Sequence, residues 1–130
     1  MANSNWLQVS ARVAFVAILI LVLVLTLSPT GAYSAVVNDK LAHFCAFLLL
    51  CALGVLAWGR RGLLGLGLGL PLFGGLIEIL QAMPWVQRDP SVLDWLADIG
   101  GAAAILVLVW LTGRSRRTGE RSEPADQPTG

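Results

Sequence analysis

Four long apolar runs, separated by short polar breaks, organise this chain. The first, Val13 to Leu27, continues for about 15 residues; with Ala11, Arg12 and Ser28 at its ends it nears the lower limit for a bilayer crossing. Ser28-Pro29-Thr30-Gly31 then breaks it with turn-forming residues. The second run, Leu41 to Trp58, stops at Gly59-Arg60-Arg61-Gly62, and the third, from Leu63 to about Met83, stops at Pro84. The fourth runs from Val92 to Leu111 and is followed by Gly113. Each of the last three is about 18–20 residues, enough for a helical crossing at about 1.5 Å per residue. The pattern predicts an all-α membrane protein, a four-helix transmembrane bundle with spans at about residues 12–28, 41–58, 63–83 and 92–112. The short second connection makes spans two and three antiparallel neighbours. The membrane domain takes residues 1–113, and the polar segment 114–130 is expected to be a disordered cytoplasmic tail.

Composition agrees with this reading. Of 130 residues 56% are hydrophobic and 13% charged, whereas a soluble domain is usually about a quarter charged. The net charge of +1 says little, but its distribution sets an orientation. Arg12, Arg60, Arg61, Arg114, Arg116, Arg117 and Arg121 mark one side; Lys40 and Arg88 mark the other. The positive-inside rule puts both termini in the cytoplasm. Trp85 and Trp95 suit the outer interface and Trp58 the inner one. A competing reading makes the first run a signal peptide cleaved near Thr30-Gly31-Ala32, and it leaves the polar residues outside as well. No basic stripe interleaves with aromatics, so nucleic-acid binding has no support. Cys45 and Cys51 read as small buried hydrophobes without metal-binding spacing.

The polar residues in or beside the runs collect at the outer end: Asp39, Lys40 and His43, then Glu78 and Gln81, then Arg88, Asp94 and Asp98. Asp39 and His43 are one turn apart on a helix, as are Glu78 and Gln81, and Asp94 and Asp98, so each pair shares a face. Gly74 and Gly75 lie one turn inward from Glu78, and Gly101 and Ala102 one turn inward from Asp98. Small residues mark close helix approach, so the polar stripes face the bundle interior. Glu78 lies roughly 9 Å along the helix from Pro84, in the outer leaflet. The inner half carries no matching groups, which disfavours a channel or pump. Expected pairings are Arg88 with Asp94 or Glu78, and Lys40 or His43 with Asp98. Asp94 has a bland alternative as a helix N-cap, and His43 as a hydrogen-bonded helix-end residue. Pro71 is expected to bend span three, and Gly65-x-Gly67-x-Gly69 reads as helix packing, not as a nucleotide loop.

Asp39-Lys40-x-x-His43-Phe44, Gly75-x-x-Glu78-Ile79-x-Gln81, Arg88 and Asp94-x-x-x-Asp98-x-x-Gly101 together resemble the VanZ-like family of small bacterial membrane proteins. The resemblance covers roughly Ala35 to Leu111. It departs at Phe47, where many relatives have Tyr, and at Asp98, where many have Asn. It implies a multi-span protein of the bacterial cytoplasmic membrane. The founding member is associated with teicoplanin resistance, a phenotype that a shared fold alone does not transfer.

Three functional classes follow. The favoured one is an accessory protein of the cell envelope whose pocket binds a lipid headgroup or cell-wall precursor, with Asp39, Lys40, Gln81, Arg88 and Asp94 as ligand-binding residues. The second is a hydrolase or transferase acting on a lipid-linked phosphate, with Glu78, His43 and Asp98 as catalytic acid/base groups. In the third the cluster only locks the helices. No metal or cofactor is expected, a divalent cation among the carboxylates being the less favoured variant. The glycine-rich face of span three suits self-association or contact with other envelope proteins as well as packing within the chain.

Overall fold

A computed structural model of the chain describes residues 2–28, 38–86 and 88–120, with side chains for 5–28, 38–86 and 88–113. The described residues are helical throughout apart from turns, and they form four α-helices: α1 (Ala2–Leu27), α2 (Asp39–Trp58), α3 (Leu63–Gln81) and α4 (Val92–Glu120). A 3-10 turn, Gly59–Gly62, joins α2 to α3. Three helical stretches are long and apolar enough to cross a membrane: Asn5–Leu27 (23 residues), Asp39–Gln81 (43 residues) and Val92–Gly113 (22 residues). The middle stretch includes both α2 and α3.

Local chemistry explains the helix limits. Asn38 caps α2, its side-chain oxygen accepting from the Lys40 N–H at 3.1 Å, and Asp39 adds a carboxylate to the first turn. Gly59 ends α2 at φ +60°, a conformation disfavoured for residues with a Cβ. α3 runs as one helix through Pro71. The expectation of a disordered tail from residue 114 is corrected, because α4 continues to Glu120. Arg114, Arg116 and Arg117 are good helix formers, and basic residues are favourable near a helix C-terminus. Residues 121–130, the Pro29–Gly31 break and the cleavage site Thr30-Gly31-Ala32 lie outside the described residues.

Side-chain register fixes the directions. Asp98 lies against His43 and Gly74, Val109 accepts from Arg60, and Leu106 lies over Gly67. Residue numbers rise together along α2 and α4 and oppose each other along α3 and α4. The 3-10 turn therefore reverses the chain, making α2 and α3 an antiparallel hairpin. Arg12 reaches the Ala57 carbonyl at one end of α1, and Thr26 meets Gln81 at the other, so α1 opposes α2.

The α2–α4 pairing is the most extensive. Gly101 makes it close: a Cβ there would overlap the Phe44 carbonyl and crowd the Leu48 amide. Phe47, Leu50, Cys51, Leu66, Leu70, Ile77 and Ala102 fill the interior beside this contact, with Val22 from α1. Outward, Leu64, Leu68, Leu72, Leu76 and Ile79 leave one side of α3 apolar and exposed, a surface that suits hydrocarbon and not water.

Gly101→Ala is expected to cost about 1–3 kcal/mol, because backbone must shift to admit the methyl group. Gly69→Ala, where a Cβ meets nothing within 4 Å, should instead be neutral or stabilise α3 by up to about 1 kcal/mol. Unfolding of both variants in detergent micelles measures the difference; equal stability would refute the close α2–α4 approach.

Candidate functional site

At the end of α2, His43 is buried, and its Nδ1 lies 2.9 Å from Asp98 Oδ1 on α4. Both side chains are nearly inaccessible, at 4% and 0% exposure. A polar pair at that depth replaces hydration with one strong mutual hydrogen bond, and losing either partner strands the other. When Nδ1–H donates to Asp98, a neutral His43 carries its lone pair on Nε2. Gly74 makes room for Asp98 on the opposite side, since a Cβ there would crowd the carboxylate.

One turn toward the N-termini of α2 and α4, Lys40 Nζ lies 3.4 Å from Asp94 Oδ1. The lysine side chain is half exposed, so this pair is worth at most about 1 kcal/mol. Asp39 lies 3.8 Å from Arg88 Nη2, a charge contact too long for a hydrogen bond. Arg88 also donates through Nη1 to the carbonyls of Thr26 at 3.2 Å and Leu25 at 3.3 Å. The expected pairing of Arg88 with Asp94 or Glu78 is therefore corrected. Carbonyls at the C-terminal end of a helix carry partial negative charge, and those of Leu25 and Thr26 attract the guanidinium. Arg88 thus straps the α3–α4 connection to α1.

Gln81 makes the same connection from α3, its Nε2 donating to the Thr26 carbonyl at 2.9 Å, and it is buried. Glu78 instead accepts the Ser91 N–H through Oε2 at 2.6 Å. Ser91 immediately precedes α4, so Glu78 supplies a carboxylate to the start of that helix, where Asp94 also lies in the first turn. Glu78 and Gln81 consequently serve opposite neighbours, α4 and α1. Glu78 borders a cleft of about 330 Å³ lined by Gly75, Pro90, Ser91, Val92 and Trp95. Trp95 closes one wall, its indole N–H donating to the Pro71 carbonyl at 2.9 Å. His43 also borders an apolar groove of about 160 Å³ formed with Val22, Leu25, Thr26, Ala42 and Ala46.

All eight polar residues singled out in the sequence thus lie at one end of the helices. Asp39, Lys40, His43, Arg88, Asp94 and Asp98 form the centre, Glu78 lies on the α4 side and Gln81 on the α1 side. Asp39 Oδ1, Asp94 Oδ1 and Asp98 Oδ2 in the centre, and Glu78 Oε1 on the α4 side, are buried with no hydrogen-bond partner. Sequence reasoning did not find Thr26, Ser91 or the Trp95–Pro71 contact. Thr26 and Ser91 take part through backbone atoms, which have no residue-type signature.

No family model, curated protein or solved structure matches the chain.

Replacing His43 and Asp98 by alanine singly and together should reveal a coupling of about 0.5–3 kcal/mol. Asp98→Asn, which keeps an acceptor oxygen, should be milder than Asp98→Ala. Equilibrium unfolding in micelles supplies the cycle, and strictly additive losses would rule out an energetic pair.

Proposed function

We propose that this chain is a multi-pass protein of the bacterial cytoplasmic membrane, similar to the VanZ-like family, whose outer rim binds a lipid headgroup or an envelope precursor. Four crossings with both termini in the cytoplasm agree with the antiparallel hairpin and with the gathering of arginines opposite the polar site. In this arrangement the Glu78 cleft opens where headgroups lie.

The observation that carries the reading is the unpartnered, buried Glu78 Oε1 beside the Trp95-walled cleft. A carboxylate and an indole together suit an ammonium group or a hydroxyl-rich headgroup, which supplies the missing donors. Lys40 is the cation placed to meet a phosphate, because its side chain is 51% exposed. Arg88 is engaged by Asp39 and by the α1 carbonyls, so it orients the rim and leaves the phosphate to Lys40. A link to glycopeptide resistance of the teicoplanin type rests on the family resemblance alone.

The His43–Asp98 pair favours a second reading, a hydrolase or transferase acting on a lipid-linked phosphate. A carboxylate that orients an imidazole is a common arrangement for a general base. Turnover of undecaprenyl or glycerol lipid phosphates by pure protein, lost in His43→Gln, would establish it. Lipid binding without turnover favours the accessory role.

Native mass spectrometry of protein purified in detergent tests the headgroup reading with added phosphatidylethanolamine and phosphatidylglycerol. Wild type should retain phosphatidylethanolamine, and Glu78→Gln should retain it at least about tenfold more weakly, the loss of a charge-assisted contact of about 1.5–3 kcal/mol. Equal retention by the folded variant would refute the assignment. If the variant loses folded protein instead, Glu78 serves the α4 cap and the structural reading gains.

A further inference from the structure

Asp39 and His43 on α2 and Asp94 on α4 each offer one ligand atom, and the three atoms all lie within 4.8 Å of one another. Two ligands at about 2.1 Å from a metal ion can be at most about 4.2 Å apart, so the side chains must rotate to bring the set into bonding range. Proximity of acids alone would mean little. Here a second observation points the same way: the Asp94 side chain is only 7% exposed, yet its Oδ1 has no hydrogen-bond donor. Lys40, 3.4 Å away on a half-exposed side chain, meets that oxygen as an ion pair but not with hydrogen-bond geometry. Asp39 Oδ1 is buried and unsatisfied in the same way, with Arg88 Nη2 at 3.8 Å.

The setting of His43 also suits a metal ligand. A buried carboxylate on Nδ1 is the usual outer partner of a metal-binding imidazole, fixing its tautomer and raising its basicity.

We propose that Asp39, His43 and Asp94 form a binding site for one divalent transition-metal cation, with Asp98 as the positioning residue for His43. Two carboxylates and an imidazole suit Zn²⁺ or Mn²⁺ better than Mg²⁺ or Ca²⁺, which prefer all-oxygen sets. This replaces the sequence-based expectation of a metal-free cluster. The ligands come from α2 and α4, so a bound ion would also tie those helices together at their outer end. The inference concerns the cation alone and does not depend on headgroup binding.

The test uses the full chain, purified in lipid-free detergent on a histidine-free tag and stripped with chelator. Zn²⁺ is titrated by calorimetry, and Mn²⁺ by the loss of the free-ion electron paramagnetic resonance signal. One saturable site per chain is expected for at least one of the two ions. His43→Gln and Asp94→Asn should each weaken it at least about tenfold, and Asp98→Asn, acting through His43, should weaken it by about 10–100-fold. Asp89→Asn, an exposed acid outside the set, should leave it unchanged. Half-exposed Asp39 provides a variant less dependent on folding, and Asp39→Asn should also weaken binding. Absence of a saturable site for both ions, or a site indifferent to Asp39→Asn and His43→Gln in protein of unchanged elution profile, overturns the proposal.

Discussion

The close approach of α2 and α4 is the constraint on which the rest of this molecule depends. Gly101 admits the α2 backbone, and just outside that contact the His43–Asp98 hydrogen bond joins the same two helices. The two features need each other. A polar pair with almost no solvent access is tolerable only if its partners are held at hydrogen-bond distance, and the glycine contact provides that proximity. The bond in turn fixes the axial register of two otherwise apolar surfaces, which dispersion alone specifies poorly. Asp39, Lys40 and Asp94 meet because they lie one turn further out along helices already in register.

Polar contacts at this end divide into two kinds. Gln81, Arg88 and Glu78 satisfy backbone groups that the helices leave open, namely the Leu25 and Thr26 carbonyls and the Ser91 N–H. These contacts hold the helix ends together and account for a polar rim without any ligand. Asp39 and Asp94 have oxygens left over once such needs are met, and so do Asp98 and Glu78. A cluster that served only to lock helices would gain nothing from surplus buried acceptors, since each unsatisfied one costs about 1–3 kcal/mol. Two of these oxygens, Asp39 Oδ1 and Asp94 Oδ1, face Arg88 and Lys40 as ion pairs, so the surplus is greatest at Asp98 and Glu78. It lies in the α2–α4 centre and on the α4 side, whereas the α1 side is engaged with helix ends.

Much of the fold was legible because hydrophobic runs and turn residues are local signals. Trp58 ends α2 and Leu63 begins α3 where Gly59-Arg60-Arg61-Gly62 breaks the pattern. Helix limits beyond the apolar runs were less legible. α1 begins at Ala2 among Asn3, Ser4 and Asn5, and α4 continues through Gly113 into basic residues, because a helix does not have to stop where hydrophobicity does. Within the site, facing stripes flanked by small residues offered Lys40 or His43 as the partner of Asp98, and the structure has His43 there. The partners of Arg88 and Glu78 did not follow from such stripes, because each binds backbone atoms whose availability depends on where another helix happens to end.

The grouping of Asp39, His43 and Asp94 shows the same limit. Asp39 and His43 read as neighbours from their four-residue spacing, but Asp94 lies on a different helix and joins them only through the α2–α4 register. Ligand sets of this kind have no sequence spacing to recognise, unlike those drawn from a single loop or helix. The order of causes therefore runs from packing to chemistry. Small residues permit the helix approach, the approach sets the register, and the register gathers carboxylates that no single segment would concentrate. Substituting a larger residue at Gly101 would be felt at the polar end of the helices before any charged group was touched, because the separation of α2 and α4 determines whether Asp94 stands beside Asp39 and His43.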